Sequence, residues 1–161
     1  MRTFHVKQKF RLGGECFDIK DEMGNIAYQV EGSFFQIPKT FTIYDEAGEQ
    51  VSEISKEILT FMPRFEIQLS NGDRFYIRKK LTFFKDKYEF DNLGLRIEGN
   101  IWDLNFKLLD DRDQVIADIA KELFHFTSTY TVTVYDESYV DLVISLCVAI
   151  DYVEMLESQS N

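Results

Sequence analysis

The sequence predicts a mainly β domain: about twelve short antiparallel strands, closed or nearly closed into a barrel around one central hydrophobic C-terminal helix. Three observations carry that expectation. Apolar and polar residues alternate with period two over most of the chain, turn signals recur between the alternating runs, and one C-terminal stretch breaks the alternation with residues apolar on every side.

The alternation is plainest where Phe65, Ile67 and Leu69 interleave with Glu66, Gln68 and Ser70. Asn71-Gly72 follows, and then Phe75 and Ile77 resume the apolar face. Asn-Gly between two such runs marks a hairpin, because a type I′ turn needs positive φ at both central residues. Further turns are expected at Met23-Gly24-Asn25, Glu46-Ala47-Gly48, Asp91-Asn92-Leu93-Gly94 and Asp110-Asp111-Arg112-Asp113. The intervening segments are rich in Phe, Tyr, Ile, Val and Thr, which fit a pleated surface. Pro38 and Pro63 fall where strands change direction.

A helix is expected over residues 138–156, with Ser138 as its cap and Asp141 completing a capping box. At 100° per residue, Leu142, Val143, Ile144, Leu146, Val148, Ala149, Ile150 and Val153 leave no polar face. A helix apolar all round is buried all round. In a mostly β chain it fits inside a curled sheet, where it fills the interior and leaves no exposed strand edges. A helix on the outside of a sandwich is the alternative.

The chain has 161 residues, and residues 1–157 are expected to form one domain, with 158–161 a polar tail. Residues 41–67 align without gaps onto residues 106–132, an offset of 65, with identities at Phe41/Phe106, Asp45/Asp110, Ile54/Ile119, Lys56/Lys121, Glu57/Glu122 and Phe61/Phe126. Upstream, Val30-Glu31-Gly32 matches Ile97-Glu98-Gly99. Two internal β repeats that share one helix make a single body, since neither half can bury that helix alone.

Twenty-eight acids against eighteen bases give −10 at pH 7, which disfavours nucleic acid as a partner. Cys16 and Cys147 are too few for a disulfide framework, and a reducing, cytoplasmic location fits. The first residues lack the apolar core of a secretory signal. The longest charge-free run of the C-terminal stretch, residues 142–150, is far short of the ~20 apolar residues of a membrane span. No transmembrane segment is expected.

The chain also resembles the LURP-one-related family, in particular its small bacterial, YxjI-like members. The likeness rests on Lys7-Gln8-Lys9-Phe10, Phe17-Asp18-Ile19-Lys20-Asp21-Glu22, Val30-Glu31-Gly32-Ser33-Phe34-Phe35 and Ile43-Tyr44-Asp45-Glu46-Ala47-Gly48. It continues through Ile54-Ser55-Lys56-Glu57-Ile58-Leu59, Pro63-Arg64-Phe65-Glu66-Ile67 and Ala149-Ile150-Asp151, so it spans nearly the whole chain. The resemblance implies a Tubby C-terminal-like fold, a twelve-stranded barrel around a hydrophobic helix, shared with phospholipid scramblases and phosphoinositide-binding tubby domains. It implies no catalytic residues.

The residues themselves offer little chemistry. His5 and His125 have no metal spacing, and Cys16 and Cys147 form no C-x-x-C pair. Cys147 reads as a small buried hydrophobe. His5 shares a strand face with Lys7 and Lys9 and reads as solvated, whereas His125 points outward between the rings of Phe124 and Phe126. No G-x-S-x-G, P-loop or G-x-G-x-x-G occurs, and Gly13-Gly14 reads as a turn. Asp110-Asp111-Arg112-Asp113 lacks the Ca²⁺-loop ladder and reads as an acidic turn. Trp102 reads as a core or barrel-end anchor. No cofactor and no metal are expected.

Charge is distributed unevenly. Residues 2–11 carry +4 and residues 74–87 carry +5, so the rest carries −19. By alternation Lys7, Lys9 and Arg11 share one strand face, and Arg74, Arg78 and Lys80 share another. These six form a candidate anion-binding strip if their strands lie side by side. The expected function is a non-catalytic binding or regulatory domain that holds anionic phospholipid headgroups weakly and reversibly, placing the protein at the membrane periphery. The alternative is a cytosolic protein-interaction domain without lipid affinity; an enzyme or a scramblase-like activity is less favoured.

Overall fold

Each short connection in this chain solves the same problem, reversing a strand within four or five residues. At Asp45 the carboxylate does so by accepting the amide hydrogens of Ala47 and Glu49, both at 2.9 Å, while Gly48 takes φ +79°. Asp21 repeats the arrangement with Met23 and Asn25, and Asp110 with Arg112 and Gln114. Such side-chain-to-backbone bonds are why Asp dominates these turns.

In the computed structural model the strands so reversed are β1 (Arg2–Lys7), β2 (Cys16–Asp21), β3 (Ile26–Gly32), β4 (Thr40–Asp45), β5 (Gln50–Glu57), β6 (Arg64–Leu69), β7 (Arg74–Lys80), β8 (Lys87–Asp91), β9 (Arg96–Asn100), β10 (Asn105–Leu109), β11 (Val115–Lys121) and β12 (Thr129–Val134). A 3-10 turn, Glu137–Tyr139, leads into helix α1, Val140–Gln159. The structure describes residues 1–7, 16–33, 40–57, 64–80, 87–91, 94–101, 104–122 and 129–159. Pro38, Pro63, Trp102, His125 and the Gly13-Gly14 pair lie outside them.

All twelve strands form one antiparallel sheet in the order β8-β7-β6-β5-β4-β3-β2-β1-β12-β11-β10-β9. Twelve flat strands at about 4.8 Å would span roughly 53 Å. Yet β8 and β9, the two ends of that run, are joined by only residues 92–95, a link that reaches about 18 Å at most. The sheet must therefore roll up on itself. Among the described residues no backbone pairing joins β8 to β9, so the barrel stays open along that seam.

Inside the roll sits α1. Leu142, Val143, Ile144, Leu146, Cys147, Val148, Ala149, Ile150, Tyr152 and Val153 are all buried, which covers every side of the helix. The inner strand faces supply Phe4, Val6, Ile19, Phe41, Ile43, Ile54, Phe65, Ile67, Phe75, Phe106, Ile119 and Val132. Tyr152 meets Phe41 and Phe65 edge-on at 4.5 and 5.7 Å between centroids, geometry that adds to plain area burial. Ser145 donates to the Asp141 carbonyl and lies 2.6 Å from the Ser52 hydroxyl, so the buried pair tying α1 to β5 is satisfied. The helix start differs from the expected capping box. Asp136, not Ser138, caps the 3-10 turn, and its carboxylate accepts both the amide and the hydroxyl of Ser138.

The 65-residue offset reappears in the pairing. Phe41 faces Ile54 and Ile54 faces Ile67; Phe106 faces Ile119 and Ile119 faces Val132. The bulges match too, between Ile43 and Tyr44 in β4 and between Leu108 and Leu109 in β10. Gly32 opposite Phe41 corresponds to Gly99 opposite Phe106, which sets β3 against β9. Gly99, at φ +121°, has no room for a side chain: a Cβ would fall 2.7 Å from the Asn105 carbonyl oxygen. Phe75 opposite Ile67 corresponds to Phe4 opposite Val132. Hence β7 takes in one half the place that β1 takes in the other.

Two stability measurements follow from this packing. Leu146→Ala should cost about 2–5 kcal/mol in urea unfolding, because the removed atoms leave a cavity in a packed core; a loss under half a kilocalorie would place the helix elsewhere. Asp113 holds φ +63° at the position where the other repeat has Gly48. Asp113→Gly should relieve the strain of a left-handed non-glycine residue, about 1–2 kcal/mol, and give up an exposed ion pair with Arg96, worth under about 1 kcal/mol. A raised melting temperature is the expected outcome, and a lowered one would show that the ion pair outweighs the strain.

Candidate functional site

Antiparallel direction sorts the strand ends into two groups. At the end where α1 begins, the entry end, lie Asp21, Asp45, Asp91 and the segments 22–25, 46–49, 70–73, 92–95, 110–114 and 135–139. Those six segments carry nine acids against Arg112 alone. At the other, exit end, the connecting segments carry four acids and four bases, and three of the six strands that finish there, β1, β7 and β11, end on a cation, while β3, β5 and β9 end on Gly32, Glu57 and Asn100. The entry-end segments therefore carry −8 and the exit-end segments no net charge.

Lys7 is the exposed last residue of β1, at the exit end. Arg78 and Lys80 are two of the last three residues of β7, also at the exit end; Arg78 is in register with Arg64 on one side and Glu89 on the other, and Lys80 with Lys87. Lys9 and Arg11 lie outside the described residues. Arg74 departs from the group: it opens β7 at the entry end, and its Nε is 3.1 Å from Glu66 Oε1. The strands do not form the single strip that side-by-side placement would give, because β2 to β6 stand between β1 and β7. The repeat explains this, since equivalent strands of two halves must lie half a sheet apart. What Lys7, Arg78 and Lys80 share is an end of the barrel.

Four further cations reach the same end. Lys56 and Lys121 are an identity of the repeat, facing Phe65 and Tyr130 across the sheet. Arg64 lies with its guanidinium 4.3 Å over the Tyr76 ring, a cation–π contact. Lys87 opens β8 opposite Lys80. Period two hides such residues by assigning faces rather than ends; the Lys56/Lys121 identity was the available signal.

Other polar groups pair with one another. Thr131 Oγ1 donates to Glu122 Oε1 at 2.8 Å, and His5 Nδ1 sits 3.0 Å from the same oxygen. Thr131 Oγ1 also lies 3.5 Å from His5 Nδ1, so hydroxyl, imidazole and carboxylate form one cluster. A cleft of about 470 Å³ opens at the entry end beside Asp45, Asp73, Tyr139 and Asp141. Three of the carboxylates lining it are engaged: Asp45 caps its turn, Asp73 accepts from Asn71, and Asp141 accepts from the Tyr28 hydroxyl at 2.7 Å. Among the described residues no three His, Cys, Asp or Glu side chains are grouped to hold a metal ion, and no helix is long and apolar enough to cross a membrane.

Residues 2–151 match the family profile described as LURP-one-related. The chain belongs to the LURP-one-related family. A Bacillus subtilis (strain 168) relative, "Uncharacterized protein YxjI", is 26% identical over 153 residues, which is 95% of this chain and 94% of that one. A crystal structure of an Arabidopsis thaliana protein superposes with a TM-score of 0.63 at 15% identity, covering 93% of this chain and 91% of the other. That likeness supports the Tubby-like architecture: mainly β, one antiparallel sheet and a single C-terminal helix.

Two buried groups of this LURP-one-related domain make its stability pH-dependent. Burial pushes the Cys147 thiol well above its ordinary 9.0, and the Asp151 charge adds to the shift. Burial, then the hydrogen bond to Asp141, then the Asp141 charge push the Tyr28 phenol up from 10.0. Both folded-state values are raised, so both protons are held while the unfolded chain loses them. Stability is complete below pH 9 and should fall above it by about 1.4 kcal/mol per pH unit for each group that ionises on unfolding. Cys147→Ala should move the onset of the fall towards pH 10 in urea titrations. An unchanged onset would mean that the thiol is not desolvated.

Proposed function

We propose that this is a non-catalytic binding domain whose exit end docks reversibly on anionic phospholipid headgroups, as a peripheral membrane protein of the cytoplasm. The observation that carries the reading is the separation of charge by strand direction. Lys7, Arg78 and Lys80 finish strands at the exit end, and Lys9 and Arg11 continue the chain directly beyond Lys7. The entry-end turns, away from that surface, hold nine acids against one base. Each cation near an anionic leaflet contributes about 1 kcal/mol, and the effect fades within a Debye length. Contact of this kind is weak and salt-sensitive.

Cosedimentation with vesicles of phosphatidylserine in phosphatidylcholine tests the proposal. Retention should be present at low salt, fall as ionic strength rises, and be absent on pure phosphatidylcholine. Arg78→Glu with Lys80→Glu should reduce it while leaving the melting temperature of the domain in place. Absence of retention on anionic vesicles at low salt would replace this reading with a protein-interaction domain.

A further inference from the structure

We infer that the anionic partner is engaged by two separate cationic prongs on opposite sides of the barrel rim, so that it must be an extended anionic lipid surface and not one headgroup held in a pocket. The inference deepens the proposed lipid reading and rests on it. It starts from the repeat. Lys7 faces Thr129 and Arg78 faces Arg64, and the two partners are 65 residues apart. Lys121 faces Tyr130 and Lys56 faces Phe65, again 65 apart. Each half therefore sets one cation on the strand before, and one on the strand after, its own central strand: Lys56 and Arg78 around β6, Lys121 and Lys7 around β12. All four positions are at the exit end.

The two pairs cannot merge. Their strands β1 and β7 are six places apart in a rolled sheet of twelve, which puts the prongs about 20 Å from each other across the barrel at about 4.8 Å per strand. Between them α1 leaves the barrel at its C-terminal end, with no base in its last turn. A helix C-terminus adds its own negative dipole there. The middle of the exit end thus repels anions, while the rim attracts them in two places. One headgroup cannot bridge that gap; neighbouring headgroups in a leaflet can. Once one prong is engaged, the other meets a high local concentration of headgroups, so the two reinforce each other well beyond their separate affinities.

The test uses the full chain and the same phosphatidylserine vesicles. One variant combines Lys7→Glu with Lys121→Glu, another Lys56→Glu with Arg78→Glu, and Gln replacements at the same positions give milder versions if either unfolds. Each pair alone should lower the vesicle partition coefficient by about tenfold or more, as expected when a bivalent contact becomes monovalent. Soluble glycerophosphoserine at millimolar concentration should not release the protein. If only one pair matters, or if the soluble headgroup competes, the two-pronged contact is overturned while lipid binding stands. If the unaltered chain is not retained at all, the lipid reading itself falls.

Discussion

The structure depends on one constraint: α1 has no face that can meet water. From Leu142 to Val153 every residue is buried, including the hydroxyl of Ser145, the thiol of Cys147 and the carboxyl of Asp151. A helix on a flat sheet would leave half of that surface wet. Only a sheet that curls round the helix can cover it, and two half-sheets of six strands each give the curl. The helix in turn sets the polarity of the barrel, since it enters at one end, leaves at the other, and forces the chain to supply an entrance and an exit of different character.

Much of this architecture was legible in the residues. Alternation at Phe65, Ile67 and Leu69 carried the inner face of β6 without tertiary information, because side chains on a strand point alternately to the two sides. The turns at Asp21, Asp45 and Asp110 were readable because an Asp carboxylate reaches its own backbone two and four residues on. The all-round apolar projection of α1 announced burial. The helix cap was less legible. Ser138 followed by Asp141 fits a capping box, but Asp136 competes for the same amide and wins, placing a 3-10 turn ahead of the α-helix. Such local competition lies below the resolution of a pattern.

The cationic site was legible only in part, for a physical reason. Alternation reports which face of a strand a residue occupies, and it grouped Arg74 with Arg78 and Lys80. It does not report which end of the barrel the residue reaches or which strands are neighbours. Arg74 and Lys80 share a face yet stand at opposite ends of β7, while Lys7 and Arg78 come from strands half a sheet apart yet reach the same end. Those relations come from the sheet order, which the repeat offset encoded all along: pairing Lys56 with Lys121 already placed β5 opposite β11 in the two halves.

Docking as proposed requires that the exit end be the one that meets the partner. Hydrogen-exchange mass spectrometry of the full chain, with and without phosphatidylserine vesicles, tests this most directly. Slower exchange confined to the segments around Lys7, Lys56, Arg78 and Lys121, with the turns at Asp45 and Asp110 unaffected and α1 still protected, is the predicted result. Protection at the acidic turns instead, or loss of protection along α1, would contradict it.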